Sequence, residues 1–176
     1  MKELLEILKY ILPSLVVLLV VALMMRYFYK TLKGERDREL FTQERRRLLP
    51  MRLQAYERLS LFLERITVDS LVVREQREEF TCRDFHQHLL GAVREEYEHN
   101  LTQQVYISSE AWNVVRNAKE GTIRLINTAA LQVNPKGPAY ELSKQIIEIQ
   151  MEQDNSPSQV ALEFLRREVR QLFETN

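Results

Sequence analysis

The run YILPSLVVLLVVALMM, from Tyr10 to Met25, carries no charge, and Arg26, Tyr27, Phe28, Tyr29 and Lys30 follow it at once. A helix needs about 20 residues to cross a hydrocarbon core of roughly 30 Å. The uncharged run is shorter, but Leu4, Leu5, Ile7 and Leu8 extend it on one side. Lys9 and Arg26 extend it further by carrying their charges to the interface along apolar stems. Tyr10, Tyr27 and Tyr29 stand where aromatic belts form. Pro13 falls near one end, where a lost backbone hydrogen bond is easier to tolerate than in mid-span. The segment therefore predicts a transmembrane helix, with the lipid bilayer as first partner. The rival reading is a cleaved signal peptide, which needs small residues at a cleavage site. Met24, Met25, Arg26, Tyr27 and Phe28 are bulky instead.

The flanks set a direction. Lys2 and Lys9 precede the run, whereas Arg26, Lys30, Lys33, Arg36, Arg38 and Arg45 to Arg47 follow it. The excess of Lys and Arg marks the cytoplasmic side, so the N-terminus is expected outside and the remainder in the cytoplasm. The formal net charge is zero, but it is unevenly spread. From Arg26 to Arg58 there are ten basic and five acidic residues; from Leu59 onward there are thirteen basic and eighteen acidic. The proximal stretch suits anionic head groups or a solvated amphipathic helix equally. The acidic distal part argues against nucleic acid, which needs a basic face. Cys82 is the only cysteine, so no internal disulfide can form, which fits a cytosolic domain.

The patterning is helical throughout. Residues 1–30 read as the anchor, 31–50 as a charged connecting helix and 51–176 as a helical domain. Pro50 reads as a kink or a fresh start. Leu53, Tyr56, Leu59, Phe62, Leu63 and Ile66 cover one helical face, and Leu61 falls in the middle of the polar one. Thr67 to Phe80 reads as a loop with at most an extra turn. Thr81 and Asp84 have capping-box spacing before a helix ending near Asn100. LTQQVYI, residues 101–107, reads as a connector. Ser108 or Ser109 caps a helix expected to reach about Val133. Its Ala111, Ala118, Thr122 and Ala129 form a small-residue seam that would let a partner helix approach closely. NPKGP, from Asn134 to Pro138, is the clearest turn. Ala139, Leu142, Ile146 and Ile149 mark the next helix, and Ser156-Pro157 starts the last one. That helix repeats Leu162, Leu165, Val169 and Leu172 at heptad spacing, for barely two heptads.

Little in the chain carries chemistry. Glu96 and His99 form a single Glu-x-x-His, a spacing that di-iron bundles need twice. His88, Glu95 and His99 share a polar side, which reads as a solvated stripe. Cys82 and His86 are one helical turn apart, too few ligands for structural zinc. They would serve as a nucleophilic pair only in a special environment. No Walker A loop, dinucleotide fingerprint, nucleophile elbow or kinase set is present. No cofactor, metal or small-molecule substrate is therefore expected.

LPMRLQAYERLSLFLERI (Leu49 to Ile66), EYEHNLTQQVYISSEAWNVVRNAKE (Glu96 to Glu120) and the opening ELLEILKYILPSLVV resemble a family of short, uncharacterised single-pass membrane proteins from Bacteroidota. The resemblance covers nearly the whole chain and implies a bacterial inner-membrane setting. It implies no activity, cofactor or catalytic residue.

The expectation is an all-α protein: an N-terminal transmembrane helix followed by a cytoplasmic bundle of about four to six helices. Its expected role is a non-enzymatic scaffold that holds a protein partner, or a further copy of itself, at the membrane. Leu61, the seam of Ala111, Ala118 and Ala129, and Leu165 and Leu172 of the last helix are the candidate contacts. Two alternatives stand beside it: a metal- or thiol-dependent enzyme at the membrane, and a stalk-like subunit of a larger complex.

Overall fold

The computed structural model describes residues 2–152 and 156–174, with the side chains of residues 2–14 and 30–47 outside the description. Among the described residues the chain is all-α, with no strand. The helices are α1 (Lys2–Arg65), α2 (Val68–Glu75), α3 (Cys82–His99), α4 (Ser109–Ala130), α5 (Ala139–Met151) and α6 (Pro157–Glu174). A 3₁₀ helix, Leu101–Val105, joins α3 to α4. The chain divides into two compact units, Met1–Leu49 and Pro50–Asn176.

In the first unit the described side chains are those of Leu15 to Tyr29, all exposed, and of Leu48, exposed, and Leu49, half-buried. The large apolar ones between Leu15 and Met25 are 53–70% exposed. Among the described residues no helix is long and apolar enough to cross a membrane. The expected span starts at Tyr10, and the side chains of Tyr10 and Pro13 lie outside the described ones.

The second unit is a helical bundle around one apolar core. Tyr56, Leu59, Phe62, Leu63 and Ile66 of α1 supply one wall, at the spacing that puts them on a single face. Phe85, Leu89 and Val93 of α3 meet them with Val115 and Ile126 of α4, Leu142 and Ile146 of α5 and Leu165 of α6. Burial of this apolar area is the main force holding the bundle.

The expected loop after Thr67 is instead the eight-residue helix α2. Val68, Leu71 and Val72 sit at i, i+3 and i+4 and are all buried, so packing makes a helix where length alone would not. α4 stops at Ala130, short of Val133, because the chain turns there to dock on the start of α3. The carbonyls of Gly137 and Pro135 accept from Cys82 N–H at 2.8 Å and Arg83 N–H at 3.0 Å. Those are donors that the first turn of a helix leaves free. The capping box is present as well. Thr81 Oγ1 accepts from Asp84 N–H at 3.2 Å and Asp84 Oδ2 from Thr81 N–H at 3.2 Å. Ser108 Oγ caps α4 through Ala111 N–H at 3.0 Å.

Hydroxyls fasten α6 to the α1–α2 corner. Thr67 Oγ1 and Ser158 Oγ are 3.1 Å apart, and Ser158 Oγ is 2.8 Å from Ser156 Oγ. Ser156 and Ser158 are buried, so this chain of hydrogen bonds satisfies groups that would otherwise be costly to bury.

Candidate functional site

A groove of about 910 Å³ lies in the second unit. Arg58, Leu61, Phe62 and Arg65 of α1 form one wall, and Gly91, Ala92, Glu95, Glu96 and His99 of α3 form the other. Arg74, Glu75 and His88 close one end. The α1 residues reach it because their own helix turns Leu59, Phe62, Leu63 and Ile66 into the core. That leaves Arg58, Leu61 and Arg65 facing outward.

An ion pair joins the two walls. Arg65 and Glu96 meet at 2.7 Å across the groove. Glu75 Oε1 lies 2.8 Å from Arg74 Nε, and His88 Nε2 donates to Glu75 Oε2 at 2.9 Å. Burial pushes the Glu75 carboxyl up. The hydrogen bonds from Arg74 and His88, with their charges, outweigh that and hold it below the ordinary carboxylate range. The His88 ring also meets Phe80 edge-on at 5.3 Å. Beneath the groove Phe62 and Tyr97 lie 6.0 Å apart, and Tyr97 stacks on Trp112 at 5.4 Å.

Of the residues considered for metal chemistry, Glu96 and His88 are engaged in this way, whereas Glu95 and His99 line the groove. Glu96 binds Arg65 and His88 binds Glu75, and among the described residues no group of three or more His, Cys, Asp or Glu is placed to hold an ion. Cys82 and His86 share a smaller apolar hollow of about 350 Å³ with Asn127. These are the residue types of a nucleophilic thiol site, but their bonds run elsewhere. The Cys82 thiol donates to the Pro138 carbonyl at 3.2 Å, and His86 Nε2 donates to Asn127 Oδ1 at 2.8 Å. Burial pushes the thiol up from its ordinary value. The arrangement holds a neutral thiol that fastens the 134–138 turn to α3.

The candidate contact residues fall in different places. Ala111, Ala118, Ala129 and Leu165 are buried in the domain, where other helices of the same bundle fill the space beside them. Leu172 is half-buried and packs against the core. Leu61 remains exposed, at 58%, and lies in the groove. In the first unit Met25, Arg26, Tyr27 and Tyr29 are exposed. In sequence Arg58 and Arg65 read only as part of the polar face of their helix, and Gly91 escaped notice. The first two pair or face residues far along the chain, which no local pattern reveals. Gly91 did leave a trace, as a glycine inside a helical pattern.

The fold and groove define an all-α helical-bundle protein with a charged cleft between two of its helices. The chain belongs to DUF7935, a family of unknown function whose model matches residues 2–172. No curated protein and no solved structure matches it.

Proposed function

We propose that this chain is a membrane-anchored, non-enzymatic interaction module of the bacterial inner membrane. Its N-terminus faces outward, its bundle lies in the cytoplasm, and the α1–α3 groove is its docking face. The observation that carries this reading is the apolar stretch from Leu15 to Met25, every side chain of which is exposed. A helix that is apolar all round needs an apolar environment. The uncharged run continues back to Tyr10 in the sequence, and Arg26, Tyr27 and Tyr29 supply the interfacial anchors. Support for a docking role comes from the bundle, which directs its polar groups into ion pairs and caps and leaves a charged cleft with an exposed leucine in it.

Membranes from cells expressing the tagged chain are to be extracted with alkaline carbonate. Retention in the pellet, and release when Leu18, Leu19 and Val20 are all changed to Arg, are expected. Release of the unaltered chain overturns the anchor. Protease added to spheroplasts should spare a C-terminal tag; cleavage there reverses the orientation.

A further inference from the structure

Gly91 is an unfavourable residue in the middle of a helix, and nothing within the domain requires it. No atom lies within 4 Å of where its side chain would begin. Gly121 is the opposite case, since Pro157 occupies that space at 2.8 Å. A glycine that its own fold does not need leaves room for the close approach of something else. On the facing wall Leu61 stands exposed on an otherwise polar side of α1.

The charges of the groove sort by wall. α1 presents Arg58 and Arg65, and α3 presents Glu95 and Glu96. Arg65 and Glu96 satisfy each other, while Arg58 and Glu95 have no ion pair among the described residues. A face that is basic along one wall and acidic along the other complements its own two-fold image. Rotation about an axis running along the groove lays the α1 wall of one copy on the α3 wall of the other, twice over. Leu61 of each copy then has the open α3 wall, floored by Gly91 and Ala92, to enter. Any other protein would have to reproduce all of these features at once.

We propose that the α1–α3 groove is an isologous dimer interface, occupied by a second copy of this chain. The proposal rests on the groove being a docking face, and it does not need the membrane anchor.

The native cysteine, Cys82, is buried, so introduced thiols report alone. Full-length chains carrying Leu61→Cys and Gly91→Cys, with different tags, are to be co-expressed and oxidised in the cell. A mixed disulfide well above that formed with Val73→Cys is expected, because Val73 is exposed but outside the groove. Light scattering of the detergent-solubilised chain should give twice its mass. Gly91→Leu should weaken self-association at least about tenfold, as overpacking a contact centre does, while its circular dichroism keeps the helical content of the folded bundle. Arg58→Glu and Glu95→Arg should each weaken it, and the double variant should recover it. A wild-type monomer, or a Gly91→Cys yield no better than the Val73→Cys control, overturns the proposal. So does a groove occupied by a different protein or a small molecule while the chain stays single. A chain that carbonate releases but that still dimerises refutes the anchor and leaves this interface standing.

Discussion

The ring of Pro157 lies directly over Gly121: a side-chain carbon added there would sit 2.8 Å from Pro157 Cγ and 2.9 Å from Cβ. Pro157 is the first residue of α6, so this contact sets how close α6 comes to α4. The glycine costs α4 about 1 kcal/mol of helix propensity relative to alanine. Overpacking against a rigid ring costs about 1–3 kcal/mol. Gly121→Ala should therefore destabilise the bundle despite its better propensity. Chemical denaturation is the measurement, and a higher midpoint for the variant would show that α6 yields freely.

Gly91 should respond with the opposite sign. Its side-chain position is open, so Gly91→Ala gains helix propensity without a clash. An increase of about 0.5–1 kcal/mol is expected in the same measurement. A loss would mean that α3 bends or packs at Gly91 in a way its surroundings do not reveal.

Much of the bundle is legible because its helices are bounded by local chemistry. Thr81 with Asp84, Ser108, and the Asn134–Pro138 turn announce themselves within a few residues. The buried faces of α1, α3 and α5 follow from apolar spacing alone. α2 escaped because Val68, Leu71 and Val72 make too short a pattern to stand as a helix without tertiary packing. The small-residue seam of Ala111, Ala118 and Ala129 lies buried within the bundle. Periodicity does not say whose helix approaches, and here it is α6 of the same chain at Gly121. The groove was the least legible part. Arg65 meets Glu96 and Glu75 meets His88 only after the chain has folded, and such pairs leave no imprint on local sequence.

Acid should loosen the end of the groove. The Glu75 carboxyl is held low by its hydrogen bonds from Arg74 and His88, against the upward push of burial. A depressed carboxyl contributes stability above its unfolded value, and that stability is lost as the pH falls through the folded one. The contribution is limited to about 1 kcal/mol or less, because the pair is partly solvated. Melting temperatures of the wild type and Glu75→Gln should differ at neutral pH and converge below the carboxylate range. Parallel curves would remove the pair from any account of stability.

The Cys82 thiol should be inert in the folded chain. It is buried, pushed up by that burial and bonded to the Pro138 carbonyl. Alkylation at neutral pH should then proceed only as fast as the domain opens. Cys82→Ser can keep the donor to Pro138, whereas Cys82→Ala leaves that carbonyl with only its bond from Glu141 N–H at 3.0 Å, a loss of about 0.5–1.5 kcal/mol. Rapid labelling of the native protein would restore the thiol as a reactive group. Equal stability of the two variants would show that the bond to Pro138 contributes nothing.

The aromatic stack beneath the groove carries a charge on its face. Lys119 Nζ lies 4.4 Å from the centre of the Tyr97 ring, and it also meets Glu120 Oε1 at 2.8 Å. Tyr97 is stacked on Trp112, so the ring is held in place to receive the ammonium. Partly desolvated contacts of this kind contribute about 0.5–2 kcal/mol. A double-mutant cycle of Lys119→Met and Tyr97→Leu isolates the interaction from the apolar packing each side chain also provides. A coupling of about 1 kcal/mol is expected, and Trp112 fluorescence supplies the unfolding signal. Additive effects would mean that Lys119 is held by Glu120 alone and that the stack stands without its charge.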